Sequence, residues 1–316
     1  MVEPGVETNL HYSVVVPTRN RPHQLDQCLA ALAGVDYPPN SFEVLVVDDG
    51  SSESPEQIVA NWCSRLPVRL LVQPHAGPAA ARNLGSSEAR GQWLVFLDDD
   101  CRPAAGWLRG FAGTDAAAKE ALGGSTENGF RNGACSVASQ HLNEFVSRWW
   151  RSRSEPLAFF PSNNFAVSRE AFRRMGGFCE KFALAAAEDR EFCYRWLRTG
   201  GQLKFVPGAA VSHFHHLTLT SFWRQHFNYG RGARTFRAIL VSDRMSSAQR
   251  PRFSFYASLL MSPLRAGFGW KTVRTVPLLV LALMANVAGF FSEYFRPSAG
   301  QTPAASVRET PSASRP

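Results

Sequence analysis

Short continuous runs of large apolar residues alternate with amphipathic stretches between residues 12 and 97. Tyr12–Pro17 (YSVVVP), Phe42–Val47 (FEVLVV), Val68–Val72 (VRLLV) and Trp93–Leu97 (WLVFL) have the composition of strands buried on both faces. Between them, Pro22–Ala33 carries Leu25, Cys28, Leu29 and Leu32 at helical spacing, Pro55–Ser64 carries Ile58, Val59 and Trp62, and Gly77–Arg90 opens with the small residues of GPAAARN. This alternation predicts βαβ units with right-handed crossovers around a parallel or mixed sheet. The carboxyl ends of parallel strands share one edge, so Thr18, Asp49 and Asp98–Asp100 should converge there. Pro17 and Arg19 flank Thr18 in the first exit loop, and Asp48 precedes Asp49 in the second.

The second half changes character. Gly123–Gly133 reads as a loop-rich stretch, and His141–Arg153 as a helix with Trp149 and Trp150 at its end. Pro161–Phe172 reads as a loop, a short strand and a helix opening at Ser168, whose hydroxyl and Glu170 suit an N-terminus; Met175–Phe178 ends that helix. A further helix opens on Glu188, Asp189, Arg190 and Glu191. Acid in a first turn answers the helix dipole, yet the ALAAA spacer could carry this pair into a cleft, where a general base is possible. Leu203–Val206 is a short strand, and Val211 begins VSHFHH, in which His213 and His215 share one face of an extended segment and His216 the other.

Leu217–Arg237 mixes aromatic and basic residues as a helix at a headgroup boundary does. Phe253–Leu264 and Thr275–Ser292 contain no charge, and the latter approaches the about 20 residues that a membrane span needs. With Pro277, Asn286 and Gly289 inside it, the reading is helices lying in the bilayer surface; a single span and core helices capping the domain are the alternatives. The expected division is a leader at 1–11, a nucleotide-binding half at 12–122, an acceptor half at 123–216 within a domain ending near 232, a membrane-associated helical region at 233–296 and a disordered tail at 297–316.

Composition alters this picture little. Hydrophobic residues at 45% and charged residues at 19% are ordinary for a globular chain, and the net charge of +8 lies mostly in the second half. Beside the apolar helices that basic character points to a membrane rather than nucleic acid. The six cysteines lack metal-site spacing and no signal peptide precedes them, so they read as reduced thiols of a protein at the cytoplasmic face of the membrane. Three adjacent aspartates after a buried strand are different, because like charges that close persist only where water or a divalent cation neutralises them.

Taken together, VVVPTRN (14–20), VVDDGS (46–51), GPAAARN (77–83), FLDDDCRP (96–103), NFAVSREAF with GGF (164–178), AAEDREFCYR (186–195) and HFHH (213–216) resemble glycosyltransferase family 2, whose members are mostly inverting enzymes with the GT-A fold. The resemblance implies a Rossmann-like α/β domain and transfer of a sugar from a nucleotide-sugar donor, UDP favoured and dTDP or GDP possible, to a glycan or lipid-linked acceptor. It implies that Pro17, Thr18, Arg19, Asp48, Asp49, Arg82, Asp98 and Asp99 surround the nucleotide. Asp98 and Asp100 would be the family's DxD and, with His213 as a further ligand, hold Mg²⁺ or Mn²⁺, with Asp100 on the diphosphate-bound ion and the register open by one residue. Asp189, beside Glu188, would be the base, and Asn164, Gly177 and Trp149 would lie on the sugar or acceptor side. The processive members' QxxRW-like motif is replaced here by RQHFNYGRG (224–232), which implies transfer of a single sugar. A haloacid-dehalogenase-type phosphatase and a non-catalytic binding or signalling domain are the competing readings.

Overall fold

The computed structural model describes residues 10–114, 119–130, 133–152, 157–182, 186–243, 253–265, 272–293 and 295. The leader and the tail therefore lie outside the described residues, apart from Leu10 and His11. The nucleotide-binding half is built from β1 (Tyr12–Thr18), α1 (Pro22–Leu32), β2 (Phe42–Asp49), α2 (Glu56–Trp62), β3 (Val68–Gln73), α3 (Pro78–Glu88) and β4 (Trp93–Leu97). Then come β5 (Cys101–Pro103), α4 (Trp107–Ala112), β6 (Glu120–Asn128), α5 (Ala134–Arg151), β7 (Asn164–Ser168), α6 (Arg169–Arg174), α7 (Glu188–Arg198) and β8 (Gln202–His213). Three helices follow: α8 (Leu219–Ser242), α9 (Phe253–Arg265) and α10 (Thr272–Ser292).

The strands form one mixed sheet in the order β3-β2-β1-β4-β7-β6-β8-β5. β1, β2, β3 and β4 are mutually parallel, as the alternation predicts, and β7 then runs antiparallel to β4. Because side chains alternate along a strand, β1 sends Val14 and Val16 into a core with Leu25 and Leu29 of α1, and Val15 into a second core with Ala81 of α3 and Phe96. Burial on both faces is why β1, β2 and β4 are continuous apolar runs, while β3 lies half-exposed at the sheet edge.

Two strands differ from the sequence reading. The sequence predicts a loop-rich stretch over Gly123–Gly133, but Glu120–Asn128 is a strand paired on both sides. Gly123 and Gly124 are there because Phe160 and Asn164 lie over their α-carbons, leaving no room for a side chain. β8 is one strand of 12 residues where two pieces were expected, with a register shift between Gly124 and Ser125 absorbing Pro207 and its neighbours. The expected boundary at 122/123 falls inside β6, so the two halves share one continuous sheet. Helix α5 starts seven residues before His141, while Ser168 caps α6 as its sequence suggests, accepting from the Ala171 N–H at 3.2 Å.

Candidate active site

The parallel strands deliver three exit loops to one edge. Thr18 is in register with Asp48 across the β1/β2 pair, and the Thr18 hydroxyl donates to Asp99 Oδ2 at 2.8 Å although the two are 81 residues apart in the chain. Asp48 accepts from the Ser51 N–H at 3.1 Å and so shapes its own turn. Gly50 makes that turn possible with φ of 73°, and a Cβ there would meet the His75 backbone nitrogen at 2.7 Å. Asp49 takes hydrogen bonds from Gln73 Nε2 at 2.7 Å, His75 Nδ1 at 2.8 Å, the Ala76 N–H at 2.8 Å and the Gly77 N–H at 3.0 Å. Burial alone would raise its pKa, but these donors hold it below the usual carboxylate value. Asp49 thus locks the turn that leads into α3, and a nucleobase would have to displace one of these donors to bind it. Arg19 lies on the exposed outer side of this turn, its Nη1 3.2 Å from His75 Nε2.

The three aspartates after β4 have three different partners. Asp98 meets Arg82 Nη2 at 2.6 Å. Asp99 accepts from Thr18 and from Arg21 at 3.0 Å, and burial pushes its carboxyl up to about 7 in spite of Arg21. Asp100 meets Arg21 at 3.1 Å and His213 Nε2 at 3.2 Å. Its burial favours the neutral acid, but His213 outweighs this and keeps it ionised far below the usual range. His213 shifts up in return, the Asp100 charge overcoming burial, whereas burial and the charge of His213 take His215 down to about 4. His213 and His215 do share a face, with ring centroids 5.1 Å apart, and His216 turns the other way onto Phe130.

Arg82 is the junction of the site. Only 3% exposed, it reaches Asp98 with one nitrogen and Glu188 Oε1 with another at 3.0 Å. It therefore brings the FLDDD loop and the Glu188–Asp189 pair, 90 residues apart in sequence, to one rim. Burial, with the charge of Asp189, pushes Glu188 up to about 7. Burial also raises Asp189 against the pull of Arg190. Asp189 accepts from the Arg190 N–H at 2.7 Å and the Ser162 N–H at 3.4 Å. Among the described residues, Asn20 (φ 54°) and Ala187 (φ 74°) are the non-glycine residues with positive φ, and both flank this rim. Backbone held in the left-handed region gathers where a site fixes its geometry.

A divalent cation fits one corner. Asp100 Oδ1 is buried with His213 Nε2 3.2 Å away and, among the described residues, no other donor on it. Asp100, Cys101 and His213 offer ligand atoms within 4.8 Å of one another. Carboxylate oxygen suits Mg²⁺ or Mn²⁺ and the imidazole is a ligand for a transition-metal ion, while the Cys101 thiol, wholly buried and pushed up by burial and the aspartates, is poorly placed to ionise. Asp98 is instead held on Arg82.

Of the three residues expected on the sugar or acceptor side, Asn164 stands opposite Leu97 in the β4/β7 register, immediately before Asp98, and two residues after Ser162, whose N–H reaches Asp189. Asn164 is 2% exposed and spends its amide on Trp107 Nε1 and on the Ser125 and Ala209 carbonyls, each at 2.9 Å. Gly177, with φ of 73°, packs its α-carbon against Asn83, and Trp149 stacks on Phe145 and meets Phe255 of α9 edge-on. Arg21 was missed, although a cation opposite three aspartates was worth seeking in the first exit loop.

The family model "Glycosyl transferase family 2" matches residues 13–176, over half of the chain, and a model of the "N-terminal domain of galactosyltransferase" matches 144–218. The chain belongs to glycosyl transferase family 2. Its curated relatives include the pre-mycofactocin glycosyltransferase of Mycobacterium tuberculosis, 29% identical over 73% of this chain and 48% of the relative. Glycosyltransferase AglE of Haloferax volcanii is 28% identical over 52% of this chain and 55% of the relative, so the chain spans about half the length of the curated relatives it matches. Among solved structures, the mannosyltransferase PcManGT of Pyrobaculum calidifontis, in complex with GDP-Man and Mn²⁺, superposes with a TM-score of 0.58 at 18% identity, covering 87% of this chain and 86% of that one. Staphylococcus aureus TarS 1-349 with UDP gives 0.53 at 19% identity and covers 89% of both chains. The fold is of the GT-A type, as the family resemblance implies.

Proposed function

We propose that this family 2 chain transfers a single sugar, with inversion, from a nucleotide-sugar donor to an acceptor hydroxyl. The observation that carries this reading is Arg82, which joins the triple aspartate to the Glu188–Asp189 pair at one rim, so that a donor-side and an acceptor-side carboxylate face the same space. Asp189 takes the proton of the attacking hydroxyl; its raised pKa makes it a better base than an exposed carboxylate. The acceptor oxygen then bonds to the anomeric carbon as the bond to the diphosphate oxygen breaks on the opposite side. Thr18 and Arg21 hold Asp99 in place beneath the diphosphate, and Asp100 with His213 would hold Mg²⁺ or Mn²⁺. The ion's chemistry is to neutralise charge on the leaving diphosphate. UDP is the favoured carrier, as TarS binds UDP, and GDP the next, as PcManGT binds GDP-Man with Mn²⁺. The acceptor is a glycan or lipid-linked hydroxyl of cell-envelope synthesis at the cytoplasmic face of the membrane. The apolar C-terminal helix supports that location.

The phosphatase reading needs the acidic cluster after the first strand of its sheet, whereas here it follows β4. The signalling reading leaves Arg82 and the Glu188–Asp189 pair without a task. A thermal-shift screen of nucleoside diphosphates with and without Mn²⁺ tests the proposal. One nucleotide should stabilise the protein only with the metal, and Asp100→Ala should remove that metal-dependent part. Asp189→Asn should keep the shift and lose turnover by about 10²–10⁴-fold. No shift with any nucleotide would end this reading.

A further inference from the structure

Helix α10 is apolar on all sides. Leu279, Ala282 and Ala285 are fully buried against the neighbouring helices, while Val280, Met284, Val287 and Phe291 are 41, 58, 56 and 54% exposed. The exposed four stand at i, i+4, i+7 and i+11, one stripe directly opposite the packed one. A helix lying on a water-facing domain shows polar residues on that stripe. Next to it, Leu219 and Trp223 of α8, with Thr220 and Leu281, line an open apolar cavity of about 330 Å³.

The surrounding charge is one-sided. From Leu219 to Ser292 the sequence holds ten Arg or Lys against a single acid, Asp243, and Arg198 already binds that acid at 2.6 Å. Arg224 beside Trp223, Arg265 after Leu264 and Arg274 at the start of α10 are all exposed.

We propose that this face docks flat on an anionic lipid bilayer, with α10 in the interfacial plane, its Val280–Phe291 stripe among the acyl chains and the arginines at the phosphates. The proposal deepens the membrane location read above and rests on it for its purpose, but the docking itself requires no donor. The packing of α10 argues against a span. α8 runs alongside it so closely that a Cβ on Gly230 would meet the Asn286 carbonyl and one on Gly289 the Phe227 carbonyl, and Arg231 pairs with Glu293. A crossing α10 would carry Arg224 and Arg231 into hydrocarbon at about 2.5–3.5 kcal/mol each. Lying flat leaves them among the headgroups. A second copy of the chain is a poorer occupant, because two faces of the same strong positive charge repel.

The test is flotation of the full chain with vesicles of phosphatidylcholine, with and without phosphatidylglycerol. Binding should require the anionic lipid and be released by alkaline carbonate. A Met284→Glu/Val287→Glu variant should bind at least about tenfold more weakly while keeping the same nucleotide thermal shift. No flotation, equal flotation of the variant, resistance to carbonate, or a dimer that ignores vesicles would each overturn the proposal. Absence of any nucleotide shift would instead overturn the transferase reading and leave the vesicle result standing.

Discussion

Arg82 illustrates how one side chain can hold a site together. Its guanidinium is a fork, and only a fork can meet Asp98 and Glu188 at once from a buried position. Removing it leaves the buried Glu188 without its cation and Asp98, which is partly open to solvent, without its partner. Breaking a buried pair in this way costs about 3 kcal/mol or more, so Arg82→Ala should lower the urea midpoint accordingly. Arg82→Lys should recover only part of the loss, because one ammonium cannot reach both partners. Equal stability of the Lys variant and the wild type in urea would show that the bridge contributes little.

Close packing of α8 on α10 comes from glycines that a hydropathy reading passes over. Gly230 and Gly289 let the two backbones touch, so Gly230→Ala should force the helices apart and destabilise by about 1–3 kcal/mol, read as a fall in the thermal midpoint. The same limit on sequence reading recurs elsewhere. β1, β2 and β4 were legible because each is buried on both faces and so is largely apolar, and β3, a half-exposed edge strand, because its VRLLV run is short and rich in β-formers. β6 was not, since its glycines answer to Phe160 and Asn164, which come from distant chain. That Thr18, Asp99 and Asp100 come together was legible because the ends of parallel strands meet at one edge, whereas Asp189, in the first turn of α7, and His213 were assigned from the family motifs. Asn164 was placed by its motif, and nothing local reveals that its amide brackets strands or that Trp149 packs on α9. Arg21 escaped because its partners lie 78 and 79 residues away.

Across the fold, the acidic rim sets activity and stability against each other as pH changes. Glu188 is the clearest case, its pKa pushed up from 4.5 to about 7 by burial and by Asp189. A raised carboxyl binds its proton more tightly in the folded chain, so its contribution to stability is full below the unfolded value and is lost as pH rises through about 7. Catalysis runs the other way. Asp189, also raised by burial, can accept the acceptor proton only once it has lost its own, so turnover should climb with pH along a limb lying above the ordinary carboxylate range. Glu188→Gln fixes the neutral form at that position. Its thermal midpoint should therefore gain on the wild type as pH rises from acid towards and beyond neutrality, the two being most alike at the acid end. A wild-type advantage that grows with pH would mean that the ionised Glu188–Arg82 pair, rather than the buried acid, is the form the folded rim prefers.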